Sequence, residues 1–145
     1  MKRKNKKQIV VAVSGGFDPV HFGHIHLFKQ ALKLGDKLVI ILNNDHWLKK
    51  KKGYVFMPEK ERKGILEELT CVDQVVLTRH PKNSKDFSVC KTLELIKPDI
   101  FANGGDQTKK TIPEVQTCQE IGCQMVFNVG GGKIQSSSWL LNKKK

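Results

Sequence analysis

Gly15-Gly16-Phe17-Asp18-Pro19-Val20-His21-Phe22-Gly23-His24 is the stretch on which the reading of the fold turns. The apolar run Ile9-Val10-Val11-Ala12-Val13 leads into it, and a helical pattern from Ile25 to Leu34 leaves it. The order is strand, tight turn, helix N-terminus. At such a junction backbone N–H groups lack partners and the helix dipole is positive, which makes it a natural seat for phosphate. His21 and His24 stand three residues apart and share one helix face. Gly23 between them adds no side chain, and Gly15-Gly16 lets the chain turn sharply after the strand. A single histidine near a helix start is ordinarily a cap or a surface residue. Two histidines, with this glycine and this turn, directly after a strand, make a specific pattern.

Upstream, residues 1–7 are a basic tail and residues 8–14 a continuous apolar strand, as in a buried parallel sheet. Downstream, residues 22–34 fit a helix stopped at Gly35. Lys37–Leu42 is a second buried strand, and Asn43-Asn44-Asp45 opens a loop that carries Trp47, the lysines 49–52 and Gly53. A helix starts at Pro58, with Glu59 and Glu61 favouring its N-terminal dipole. Then come a strand over residues 72–77, a polar loop over 78–84 and a helix over 86–96 that ends at Lys97-Pro98. Residues 99–102 form a fourth strand, 113–121 a shorter helix and 124–129 a fifth strand. A glycine loop over 130–132 precedes a last short helix, capped by Ser136 or Ser137 and containing Trp139, Leu140 and Leu141. This alternation predicts right-handed crossovers and a Rossmann-like three-layer α/β/α sandwich with a five-stranded parallel sheet. One domain is expected over residues 8–142, between basic tails at 1–7 and 143–145.

The formal net charge of +12 suggests nucleic acid until it is located. Twelve of the 26 basic residues lie in the N-terminal tail, the 49–52 run and the last three residues, and the remaining 14 balance the 14 acidic ones. Charge of this kind is solvating and adds only weak, salt-sensitive attraction to polyanions, so no specific nucleic-acid partner is expected. No run of ~18 apolar residues indicates a membrane span, and no secretory leader pattern follows the basic N-terminus, so a cytoplasmic protein is expected. Cys71, Cys90, Cys118 and Cys123 are scattered, without zinc-ligand spacing, and read as reduced structural thiols.

Ligands of open parallel sheets bind outside the carboxyl ends of the strands, where strand order reverses. Every unusual stretch falls there: the glycine turn, residues 43–52, Arg79-His80, residues 103–106 and residues 130–138. Lysines 49–52 would ordinarily be a solvated face, but beside two histidines at a helix start they suit the neutralisation of phosphate. Ser136, Ser137 and Ser138 are a cap or a second phosphate contact. In Asn103-Gly104-Gly105-Asp106 the glycines would let a flat base approach the backbone. His26 reads as structural, while His46 and Trp47 are ambiguous. The loop with Arg79, His80, Lys82 and Lys85 holds no aromatic before Phe87, which favours an anionic or hydroxyl-rich ligand over a quaternary ammonium.

His-x-Gly-His after a Gly-x-Phe-Asp turn resembles the signature of the nucleotidyltransferase superfamily. From residue 9 to 141 the chain looks most like its cytidylyltransferase-like branch, which includes glycerol-3-phosphate cytidylyltransferases and heptose-1-phosphate adenylyltransferase domains. Supporting segments are Lys33-Leu34-Gly35-Asp36, Asn43-Asn44-Asp45, Lys52-Gly53, Glu61-Arg62, Val72-Asp73-Gln74, Lys97-Pro98-Asp99-Ile100 and Gln135-Ser136-Ser137-Ser138. The resemblance implies transfer of CMP or AMP from CTP or ATP to a sugar or polyol phosphate. It implies catalytic roles for His21, His24 and Lys52. Nucleotide contacts are implied from Gly16, Phe17, Lys49, Gly104, Gly105, Asp106, Ser136, Ser137 and Ser138, and acceptor contacts from Asp18, Arg62 and Arg79. Mg²⁺ is expected on the triphosphate without a protein ligand cluster, and a homodimer by analogy. Pantetheine-phosphate and nicotinamide-mononucleotide adenylyltransferases share the opening motif. A non-catalytic nucleotide or RNA-binding module on the same fold is the alternative of another class.

Overall fold

The computed structural model describes residues 7–105, 113–131 and 141. Five strands and five helices alternate: β1 (Val10–Gly15), α1 (Phe22–Leu32), β2 (Lys37–Leu42), α2 (Asp45–Lys52), α3 (Glu59–Glu67), β3 (Gln74–Leu77), α4 (Cys90–Ile96), β4 (Ile100–Ala102), α5 (Glu114–Ile121) and β5 (Gln124–Val126). The strands form one parallel sheet in the order β3-β2-β1-β4-β5. Order therefore reverses between β1 and β4, and the glycine turn after β1 sits at the switch point. The α/β sandwich expected from the alternation is the observed fold.

Both faces of the sheet are covered, which is why β1 and β2 read as unbroken apolar runs. On one face Val11, Val13, Leu38, Ile40, Leu42 and Val75 pack with Phe28 and Ala31 of α1 and Leu66 of α3. On the other, Ala12, Ile41 and Phe101 pack with Val89, Leu93 of α4 and Cys118 of α5. The amino ends of three strands are tied by one repeated device. Asp36, Asp73 and Asp99, each just before a strand, bond twice to a neighbouring strand. Their own N–H groups donate to the carbonyls of Ile9, Leu38 and Val10, and their carboxylates accept from the N–H groups of the same residues at 2.7, 2.8 and 2.8 Å.

Beyond small shifts at strand ends, the structure departs from the sequence reading as follows. The lysine run is helix α2, not loop. Asn44 caps it by accepting from Trp47 N–H at 3.0 Å, and Lys49 to Lys52 fill its last turn, where cations complement the dipole. A stretch polar almost all round hides such a helix from periodicity; only Leu48 is buried. The helix expected over residues 86–96 starts at Cys90, because the Asp86 carboxylate accepts from the N–H and hydroxyl of Ser88 and holds a turn there. β5 stops at Val126, ahead of Asn128 in the left-handed region. The expected final helix lies outside the described residues, apart from Leu141.

Candidate active site

The site grows from the turn after β1. Phe17 is buried at a φ of 50°, unusual for a residue with a side chain, and its ring lies edge-on to His24, centroids 4.7 Å apart. Phe17, expected to contact nucleotide, is placed as the floor beneath His24. A Cβ on Gly15 would come within 2.8 Å of that ring, and one on Gly16 within 2.9 Å of the Leu48 side chain. The glycines therefore let the turn close onto Phe17 and α2.

His21 and His24 form a capping box made of two imidazoles. His21 Nδ1 accepts from Gly23 N–H at 3.1 Å, and His24 Nδ1 accepts from His21 N–H at 3.2 Å. A ring nitrogen that accepts carries no proton, so both rings are neutral here and both keep the proton on Nε2. The rings stack, centroids 3.7 Å apart. Burial lowers the His21 pKa; burial first, then the repulsion a protonated ring would meet from His21 and from Lys52, pushes His24 down to about 3. Open backbone N–H groups are the expected phosphate seat, but here the capping box occupies those of His21 and Gly23, and the His21 carbonyl those of His24 and Ile25. Each ring is left with its Nε2–H as the remaining donor, and His21 Nε2 is buried with no partner among the described residues.

The lysines divide. Lys51 Nζ lies 5.0 Å from the Phe87 ring centroid and 6.0 Å from that of Trp47. Trp47 itself donates from Nε1 to the Phe87 carbonyl at 2.9 Å, which makes it a packing residue. Lys52 is near enough to depress the His24 pKa, and both Lys49 and Lys52 are exposed.

Asp18 and Arg62, expected on the acceptor side, are braces in this arrangement. The Asp18 carboxylate accepts from the N–H groups of Phe56 and Met57 at 2.7 and 2.6 Å. The Arg62 side chain is fully buried. It donates to the carbonyls of Met57, Gly16 and Asn43 at 2.8, 2.8 and 2.7 Å and pairs with Asp45 at 2.7 Å. One guanidinium thus ties the glycine turn, the end of β2, the start of α2 and the loop before α3. Its five fixed donors suit that work. Arg79 is exposed just beyond β3.

On the other side of β1, the loops after β4 and β5 are joined. Asn103 N–H donates to Val126 and Val129 N–H to Asn103, and a Cβ on Gly105 would collide with the Gly131 carbonyl oxygen. His26 Nε2 donates to the Gly130 carbonyl at 3.1 Å, which fastens this pair of loops to α1 and accords with a structural His26. Gly104 and Gly105 therefore lie in a loop anchored to the histidine helix. Asp106, Ser136, Ser137 and Ser138 lie outside the described residues. Among the described residues no group of three or more His, Cys, Asp or Glu side chains could hold a metal ion.

Sequence reasoning missed a buried polar knot beyond β2 and β3. Asn44 N–H donates to Thr78 Oγ1 at 3.0 Å, Asn44 Nδ2 to the His80 carbonyl at 2.9 Å, and His80 Nε2 to the Ser88 carbonyl at 2.8 Å. Thr78 Oγ1 and His80 Nδ1 are 2.8 Å apart. It fixes the Arg79 loop to the base of α2. The signal available was Asn43-Asn44 directly after a buried strand, read only as a loop.

The cytidylyltransferase-like family model matches residues 12–129. An FAD synthase of Pyrococcus horikoshii is 37% identical over 102 residues, 70% of this chain and 66% of that protein. The bifunctional protein HldE of Syntrophotalea carbinolica is 35% identical over 133 residues, 88% of this chain and 24% of that protein. The chain thus spans slightly under two thirds of the one relative and about a quarter of the other. A solved lipopolysaccharide core biosynthesis protein from Thermoplasma volcanium superposes with a TM-score of 0.71 at 29% identity, covering 89% of this chain and all of that one.

Proposed function

The chain belongs to the cytidylyltransferase-like family, and on that premise we propose that it transfers a nucleotidyl group, AMP in preference to CMP, from the triphosphate to a polyol or sugar phosphate. A buried, neutral His21 Nε2–H at a helix N-terminus, without a partner among the described residues, is the observation that carries this reading. Such a donor is satisfied by a phosphoryl oxygen and by little else in the turn. Preference for adenylyl rests on the relative named for making FAD, an adenine dinucleotide.

In the proposed step an oxygen of the acceptor phosphate attacks the α-phosphorus. A phosphorus–oxygen bond forms to the acceptor, the bond to the bridging oxygen breaks, and pyrophosphate leaves with that electron pair. The acceptor phosphate, with a second pKa of about 6, is mostly ionised at neutral pH, so no general base is required. Catalysis is then positioning and charge stabilisation. His21 and His24 donate from Nε2 to phosphoryl oxygens, and the stacked pair on its Phe17 floor needs no rearrangement to do so. Lys52, with Lys49, supplies positive charge beside them. Gly104 and Gly105 border the base, and Arg79 attends the acceptor. Mg²⁺ enters with the triphosphate as part of the substrate. Near the histidines, Asp18 is held by backbone and Asp45 by Arg62, so the described residues do not build a separate metal cage, and no step is routed through one. A cytoplasmic homodimer completes the reading. No helix among the described residues is long and apolar enough to cross a membrane.

The test is pyrophosphate release with each NTP, Mg²⁺ and a panel of phosphate monoesters. Release is expected with ATP and at least one polyol or sugar phosphate. No release with any pair would favour the binding-module alternative.

A further inference from the structure

Asn43 presents a second unanswered polar atom, and its position differs from that of the histidines. Ser14 pairs with Ile41 in the sheet register, and Ile41 with Val76. Ala12 pairs with Phe101. Alternation therefore puts Ser14, Asn43, Thr78 and Asn103 on the α4–α5 face at the carboxyl end. The opposite face ends in Gly15, Leu42, Leu77 and Ala102. Only one face of the sheet turns polar at its carboxyl edge.

Within that polar row Thr78 is bonded to Asn44 and His80, and Asn103 Nδ2 donates to the Phe101 carbonyl at 3.2 Å. Asn43 is 4% exposed, and its Oδ1 is buried with no partner among the described residues. Its backbone cannot shift to find one. Asn43 N–H is bonded to the Gly15 carbonyl at 2.9 Å, and its own carbonyl is held by Arg62 at 2.7 Å. A buried acceptor without a donor is unfavourable unless a ligand answers it.

The two orphan atoms are chemically complementary. His21 Nε2–H is a donor and seeks a phosphoryl oxygen; Asn43 Oδ1 is an acceptor and seeks a hydroxyl. Their positions also separate the two substrates. The glycine loops suited to a base follow β4 and β5, on one side of β1, whereas Asn43 ends β2, on the side of β3 and Arg79. We propose that Asn43 Oδ1 accepts a hydrogen bond from a hydroxyl of the acceptor phosphate, making Asn43 the residue that selects polyol or sugar phosphates over acceptors lacking that hydroxyl. This assignment rests on the nucleotidyl-transfer reading above.

The experiment compares wild type, Asn43→Leu and Asn43→Asp with the acceptor that supports pyrophosphate release and with its deoxy analogues, one hydroxyl at a time. Wild type is expected to favour one hydroxyl by about three- to tenfold in kcat/KM, the effect of one neutral hydrogen bond. N43L should reduce that ratio to about one, while NTP affinity measured without acceptor stays unchanged. N43D, which keeps an acceptor oxygen, should retain the preference. The midpoint of thermal unfolding of N43L should not fall, because leucine removes an unanswered polar atom; a merely structural asparagine would destabilise on loss. Wild-type turnover with an unchanged ratio in N43L overturns the assignment alone. So does a loss that follows deoxy-NTPs instead of deoxy acceptors. Absence of turnover by wild type with every pair overturns the function reading, and this assignment with it.

Discussion

The two ends of the sheet are built from the same strands and finished in opposite ways. At the amino end, Asp36, Asp73 and Asp99 each close a two-bond bracket onto a neighbouring strand, and the backbone is answered by protein. At the carboxyl end, Arg62 and Asp18 pin the loops just as firmly, yet His21 Nε2 and Asn43 Oδ1 are left buried without partners among the described residues. The difference is incomplete hydrogen bonding, held in place by complete hydrogen bonding one layer behind. A site of this kind offers fixed donors and acceptors to a ligand and requires little reorganisation when it arrives.

The largest effect should come from the brace. Arg62→Met leaves Asp45 and three carbonyls without their donor; Asp45 is part-exposed and turns to water, so the loss comes from the carbonyls, at about 1–3 kcal/mol for each buried group left unanswered. Urea unfolding is expected to show that loss; a change under ~1 kcal/mol would mean the carboxyl end does not depend on this clamp. Next, His24→Ala should lower turnover by ~10²-fold or more, the scale of losing one transition-state donor. Near-normal turnover in that variant would remove His24 from the catalytic pair.

The comparison also predicts a pH signature. His24 stays neutral in the folded protein down to about 3, whereas the unfolded chain takes up its proton near 6.5. Between these values the unfolded state binds more protons. The His24 contribution is therefore present above about pH 6.5 and is lost as the pH falls toward 3, with a slope of at most ~1.4 kcal/mol per pH unit. Asp99 and Asp86, lowered from 3.8, add their losses only near and below that value, so the interval from 6.5 to about 4.5 isolates the histidines. Unfolding midpoints across that interval should flatten in His24→Gln; an unaltered slope would sink this assignment. Smallest of all, Asp73→Ala should cost ~1–2 kcal/mol by freeing Leu38 N–H, with kcat unchanged, because the amino end stabilises without touching the chemistry.

Much of this was legible before folding. Unbroken apolar runs with helices between them specify a parallel sheet, and two histidines around a glycine after a strand are placed at its carboxyl edge. The lysine helix was hidden because charge all round has no period, and its determinants are the cap Asn44 and the last-turn lysines acting on the dipole. Arg62 was visible as a residue, but its burial was not: nothing in Glu61-Arg62-Lys63 says which charge turns inward.

Sequence alone determined the succession of the five strands along the chain, the position of the glycine turn and the histidine pair that follows it, because local periodicity and turn chemistry act between neighbours in the chain. Only the tertiary structure decided which polar atoms are answered. The His24 ring fills its acceptor with the His21 backbone, Asp18 is taken by Phe56 and Met57, and Asn43 Oδ1 has no partner among the described residues. Hydrogen bonding is settled by what arrives from distant segments once water is excluded, and that accounting exists only in the folded chain.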